Sequence, residues 1–202
     1  MTLGVGGSSA KIELEKLTDM TGDVQPITLA EFQQRIVKAQ QLMKDNDIAA
    51  TYVNAGTNLY YFTGTKWYDS ERMVGAIIPQ SGEIQYITPF FEINTLKQYM
   101  TIDGKVNGWQ EHQSPYQLFV ETLKQMNIDR GNIAIDESTA FFIANGIQLA
   151  CSDYNLVDAK AITAGCRAQK SATEIALLQQ AKNMTMEVHK AVARILRKGI
   201  ST

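Results

Sequence analysis

The chain is short of several residue types, and each shortage closes off a class of protein. Its two cysteines, Cys151 and Cys166, are too few for a disulfide framework and are expected to be buried thiols of a cytoplasmic protein. Only two histidines occur, His112 and His189, and no H-E-x-x-H, C-x-x-C or G-x-S-x-G pattern exists. Zinc-peptidase, thiol-redox and serine-hydrolase readings therefore lack support. Nineteen basic residues stand against 21 acidic ones, a formal charge of −2 with a pI near 5.7. Without a basic surplus to neutralise a phosphate backbone, no nucleic-acid partner is expected. No apolar run reaches about 18 residues, so no transmembrane helix is expected. The start, MTLGVGGSSAKIELEKL, has neither the basic opening nor the long apolar stretch of a secretory signal.

What remains is an ordinary globular composition, 45% apolar and 20% charged over 202 residues, long enough for one substantial core. Residues 1–27 are rich in glycine and poor in periodicity, and read as a flexible leader. GVGGSS fits no phosphate-loop spacing, and no strand precedes it. Thr28-Leu29-Ala30-Glu31 has capping-box spacing and opens a helix through Phe32, Ile36, Ala39 and Met43. Strands are expected over residues 48–53, 73–78, 84–88, 105–109, 133–136 and 155–157. Pro79-Gln80-Ser81-Gly82 makes a hairpin of the second and third. Helices are expected over 91–100, after Ser114-Pro115, and over 138–150 despite Gly146. Strands alternating with helices predict an α/β domain with a mixed sheet over residues 28–160. Ser171-Ala172-Thr173-Glu174 is a second capping box, opening a helix expected to run to Lys198 with Gly199 as its stop. Its stripe of Ile175, Leu178, Ala181, Met184, Val188, Val192 and Ile195 needs a surface to pack on. A Gly stop followed by Ser201-Thr202 reads as a turn into another helix, so a longer protein is expected.

The stretch from Asn58 to Arg72 holds five aromatics and an arginine within fifteen residues. An arginine fork among aromatics suits a carboxylate ligand. The alternative is a core role for Tyr61 and Phe62, with Arg72 paired to Asp69 or Glu71 at the surface. Glu111 and His112 lie at a strand end, where α/β proteins carry functional loops. Asp136-Glu137 is a further carboxylate pair, but neighbours on a strand face opposite ways, so it reads as a strand terminus.

Three segments in register resemble a known family. Asn58-Leu59-Tyr60-Tyr61-Phe62-Thr63-Gly64 followed by Arg72 is similar to the N-terminal domain of the creatinase, prolidase and aminopeptidase P family. Trp109-Gln110-Glu111-His112-Gln113-Ser114-Pro115-Tyr116 resembles a segment of bacterial Xaa-Pro peptidases. Cys166-Arg167-Ala168-Gln169-Lys170-Ser171 with Glu174-Ile175 resembles the helix that opens the family's catalytic "pita-bread" domain. The resemblance implies a three-layer α/β unit that mediates homodimer contacts and projects a loop into the partner's active site. It also implies peptide substrates of the Xaa-Pro type. The hydrolytic centre would be two divalent metal ions (manganese, cobalt or zinc), held by two Asp, one His and two Glu of a second domain absent here apart from its first helix. Residues 161–202 are then a linker and that helix. Arg72 falls where creatinase-like relatives contact a substrate carboxylate of the neighbouring subunit, and Trp67 and Asp69 fall in the same loop. No catalytic residue and no metal ligand is carried over. Two other readings stay open: a stand-alone binding or dimerisation module, and a creatinase-like amidinohydrolase fragment. A third is an unrelated α/β enzyme using His112 with Glu111 and Arg72.

Overall fold

The computed structural model describes residues 5–200. Gly4 of the glycine-rich start and Ser201-Thr202 of the expected turn lie outside the described residues. Two compact units are present, residues 28–169 and a second made of residues 1–27 with 170–202.

The larger unit begins with helix α2 (Leu29–Asp45), after a short helix α1 (Ala10–Leu14) in the other unit. Thr28 caps α2 by accepting a hydrogen bond from Glu31 N–H. The Glu31 carboxylate pairs with Arg35 one turn on. Strand β1 (Ile48–Asn54) follows, and helix α3 (Thr57–Thr63) comes directly after it. Gly64 stops α3 in the left-handed region, at φ 70°, which a glycine adopts without steric cost. Then come β2 (Gly75–Pro79), β3 (Gln85–Pro89), α4 (Ile93–Tyr99), β4 (Lys105–Trp109), α5 (Pro115–Gln125), β5 (Gly131–Ile135), α6 (Phe141–Ala150), β6 (Tyr154–Asp158) and α7 (Lys160–Arg167). The six strands form one sheet in the order β4-β3-β2-β1-β5-β6. Only the two pairings that involve β2 are antiparallel. β2 thus runs against the other five, and the carboxyl ends of those five share one edge.

Alternation along each strand divides the core in two. Ala50, Tyr52, Ile77, Ile133 and Ile135 point to one face, where Phe119 and Leu123 of α5 and Ile143 and Ile147 of α6 cover them. Val53, Ile78 and Ala134 point to the other face, under α2, α3, α4 and α7, and Ile48 joins them because the β1 register shifts between Ile48 and Ala50. The result is the expected three-layer α/β arrangement. Cys151 belongs to the first cluster and Cys166 to the second, so the sheet separates the two thiols. Burial pushes both up to about 11, which keeps them protonated and unreactive at neutral pH.

The segment from Lys160 belongs to this unit rather than to a linker. Ile162 and Cys166 of α7 enter the core, Lys38 Nζ donates to Cys166 O at 3.3 Å, and Leu42 lies over Gly165. Local pattern missed α7 because it is only two turns long and has no side-chain cap.

In the other unit the expected leader is partly helical. Glu13 of α1 is 2% exposed. It accepts hydrogen bonds from Lys16 Nζ (2.8 Å), Ser8 Oγ (2.7 Å) and Arg194 Nη1 (3.2 Å). Arg194 belongs to the long helix α8 (Ala172–Ile195), which opens with the full Ser171/Glu174 capping box. Gly6 and Ser8 N–H groups donate to the carbonyls of Ala193 and Arg194. The last turn of α8 therefore has its unpaired carbonyls taken by the N-terminal strap, and the helix stops at Ile195, short of Lys198. Ala191 is buried, whereas Ile175, Leu178, Met184, Val188 and Val192 remain exposed along α8.

Two outcomes follow from this packing. A Cβ at Gly146 would meet the Tyr116 ring at 2.3–2.6 Å, so Gly146→Ala should destabilise the chain by about 1–3 kcal/mol despite its better helix propensity; urea unfolding measures it. The Lys16, Ser8 and Arg194 hydrogen bonds hold the Glu13 carboxyl down at about 2. A depressed carboxyl stabilises the fold above its unfolded value, near 4.5, and that stabilisation drains away as pH falls toward 2. Protection factors over residues 5–14, with exchange rates corrected for their intrinsic pH dependence, should therefore fall from pH 4.5 to 2, and Glu13→Gln should flatten that dependence.

Candidate functional site

The edge formed by the carboxyl ends of five parallel strands is where α/β folds bind ligands. Here it also receives the loop of residues 64–74, which enters β2 beside the end of β1 (Asn54 opposite Gly75). Behind that loop lies a buried polar network. The Asp136 carboxylate, 2% exposed at the end of β5, accepts hydrogen bonds from Asn54 N–H (3.2 Å), Asn58 Nδ2 (2.8 Å), Ser138 N–H (2.8 Å) and Ser138 Oγ (2.8 Å). Arg167 Nη1 of α7 donates to Asn58 Oδ1 at 2.7 Å. Tyr52 OH donates to Asn54 Oδ1 at 3.0 Å, and Asn54 Nδ2 donates to Asp69 at 3.2 Å. Desolvation, with the Asp136 charge nearby, pushes the Asp69 carboxyl above the ordinary range.

The three residues expected to serve the site separate into two environments. Asp69 is itself exposed, but its carboxylate turns back onto Asn54 and lies against Gly56. Trp67 also turns toward the core: its carbonyl accepts from Gly56 N–H and its ring stands edge-on to Tyr99. Arg72 faces out, with its side chain 39% exposed. Its Nε donates to Glu111 at 3.2 Å, its Nη1 pairs with Glu71, and its guanidinium lies 5.6 Å from the centre of the Phe91 ring. Glu111, the principal cause, raises the arginine's already high value further. Trp109 Nε1 donates to Met73 O at 3.2 Å and pins the end of β4 to the Arg72 loop. Three separate segments thus meet at Arg72: the loop itself, the 3-10 turn Phe90–Glu92 after β3, and the turn after β4. Of the surface pairings weighed for Arg72, the one with Glu71 forms, and Asp69 is engaged elsewhere.

The sequence did not single out Asn54, Asn58 or Arg167 as a group. Asp136 was visible as a carboxylate at a strand end, and its neighbour Glu137 does face away, accepting from Thr163 Oγ1 at 2.8 Å. Among the described residues, no three His, Cys, Asp or Glu side chains converge to hold a metal ion. No described helix is long and apolar enough to cross a membrane.

Residues 35–169 match the model of the creatinase/prolidase N-terminal domain. The chain belongs to that family. Its α/β unit is the family's first domain, and the resemblance of the Asn58–Gly64 segment reflects membership. The chain is 25% identical over 168 residues to YkvY of Bacillus subtilis (strain 168), a provisionally named dipeptidase, covering 83% of this chain and 46% of that protein. Among solved structures, a prolidase from Thermococcus sibiricus superposes with a TM-score of 0.71 at 22% identity, over 82% of this chain and 44% of that one. Dipeptidase PepE from Mycobacterium ulcerans gives 0.72 at 22% identity, over 82% and 44%. The N-terminal domain of an Xaa-Pro dipeptidase from Lactobacillus brevis gives 0.57 at 16% identity, over 67% of this chain and 99% of that domain. The chain spans less than half the length of YkvY and of both full-length structures.

Because four donors converge on one buried carboxylate, Asp136→Ala should cost roughly 3 kcal/mol or more, at about 1–3 kcal/mol for each buried group left unpaired. Asp136→Asn should recover only part of that loss. Urea unfolding of both variants checks the ranking, and an unchanged midpoint for Asp136→Ala would contradict it.

Proposed function

We propose that this chain is the substrate-positioning and dimer-forming N-terminal domain of a peptidase that cleaves the bond preceding proline. Hydrolysis would be supplied by two divalent metal ions held by another domain of the protein. The observation that carries the reading is Arg72, presented outward at the ligand-binding edge and backed by Phe91. A guanidinium in that setting offers paired N–H donors to the C-terminal carboxylate of a short peptide. Trp67 and Asp69 act behind it: Asp69, through Asn54, ties the loop to the Asp136 network, and Trp67 anchors the loop's start against the core. Their contribution is to hold Arg72 at a fixed height above the sheet edge rather than to touch the peptide.

Two further observations support a place within a larger peptidase. The relatives and neighbours of matching fold are named as dipeptidases and prolidases about twice as long. The exposed stripe of α8 also calls for an apolar partner surface. Dimerisation, with Arg72 serving the partner's active site, belongs to the same proposal.

Arg72→Ala in the complete protein should raise KM for a dipeptide with a free C-terminal carboxylate by about ten- to a hundredfold, the range for losing a charge-assisted pair. Its kcat, and both constants for the C-terminally amidated peptide, should change little. Equal effects on the free and amidated peptides would show that Arg72 does not hold the carboxylate.

A further inference from the structure

The hydrogen bonds already made by Arg72 constrain how any carboxylate can reach it. A carboxylate takes two parallel bonds from a guanidinium along one of two edges, the side formed by Nε and Nη2 or the end formed by Nη1 and Nη2. In this chain Nε donates to Glu111 and Nη1 to Glu71. Nη2 makes no hydrogen bond among the described residues. Each edge therefore includes one nitrogen already bonded: a ligand on the side meets Glu111 at the single Nε hydrogen, and one on the Nη1/Nη2 end meets Glu71 as a competitor for Nη1, which carries two hydrogens.

The two are not equivalent. Glu71 is the chain neighbour of Arg72, and its side chain is 75% exposed. It spans no elements, and an exposed ion pair of this kind is weak. Glu111 comes from the turn after β4, 39 residues along the chain. That turn is closed by two hydrogen bonds, Gln113 N–H to Gln110 O (2.8 Å) and Gln110 N–H to the Gln113 side chain (2.9 Å). Immediately before it, Trp109 is bonded to Met73 O. The Glu111 carboxylate thus grips the guanidinium from a fixed base. Through Nε it sets the rotation of the plane, while the Phe91 ring below sets its tilt.

We propose that Glu71 is a displaceable occupant of the ligand position on Arg72, and that Glu111 is a positioning residue that aims the Nη1/Nη2 end at the incoming carboxylate. This rests on the reading of Arg72 as the carboxylate anchor. An anionic ligand enters end-on, Glu71 swings into water, and Glu111 stays in place. Glu71 therefore competes only with an anionic C-terminus, and a neutral one, which does not take its place on the guanidinium, is indifferent to it.

The two glutamates should then have opposite effects. In the complete protein, with glycyl-proline and glycyl-prolinamide as probes, Glu71→Gln should lower KM for the free dipeptide by about two- to fivefold, the scale of an exposed ion pair. Glu111→Gln should raise it by a similar factor, with Glu111→Asp intermediate. For both variants kcat should hold, and KM for the amide should stay within the error of the parent. A general loosening of the loop would move both probes and both constants together, which overturns the proposal. So does a KM that shifts in the same direction for both glutamates, or for neither. If Arg72→Ala leaves the ratio of the two KM values unchanged, the carboxylate-anchor reading itself fails. If Arg72→Ala shifts that ratio and the glutamate variants do not, only the present inference falls.

Discussion

The Asp136 carboxylate is the point on which the carboxyl edge of the sheet depends. It is buried, and it accepts from the backbone of β1, from the side chain of α3 and from the turn that follows β5. A buried charge survives only where donors replace its lost hydration, and once they do so their positions are no longer free. Four donors on one carboxylate therefore fix where β1 ends relative to β5 and where α3 begins. Through Asn54 the same network reaches Asp69, and so the loop that carries Arg72. Arg167 extends it to α7, which explains why the segment after β6 belongs to the α/β unit.

That rigid base supports an outer layer of a different kind. Glu71, Glu111 and Phe91 are exposed and Arg72 is half-buried among them, and the contact between Arg72 and its chain neighbour Glu71 is the weak, exchangeable sort that water and ligands compete with. A strongly bonded interior beneath a lightly bonded surface suits a recognition loop: the backbone holds its height while side-chain partners are swapped. The second unit follows the same economy of partners. The carbonyls at the end of α8 are met by backbone N–H groups of residues 6 and 8, and Glu13 gathers a serine, a lysine and an arginine. The helix is tied at its end while its apolar stripe stays uncovered.

Much of this was legible in residue order. Thr28 and Ser171 announce their helices because a side-chain oxygen satisfies an N–H that no helix can pair internally. Strands β1 to β6 could be located because apolar residues there are dense and bounded by turn residues. The helix over Phe141–Ala150 was readable despite Gly146, whose reason is the Tyr116 ring lying against it. The short helices escaped notice: α1, α3 and α7 are held by tertiary contacts and lack the length for a clear period. Asn58 stands both in the aromatic segment that resembles the family and in the Asp136 network.

By itself the sequence determined the kind of molecule: an α/β chain with alternating elements, buried thiols and an arginine in an aromatic loop. Local hydrogen-bonding needs and hydrophobic periodicity act over a few residues, so they can be read in order. Only the tertiary structure decided which charges meet. Arg72 and Glu111 are far apart in the chain, as are Asn54 and Asp136, and nothing in either neighbourhood specifies the other. The sheet brings them together because five parallel strands end on one edge, and a pairing of that range is a property of strand order rather than of any local pattern.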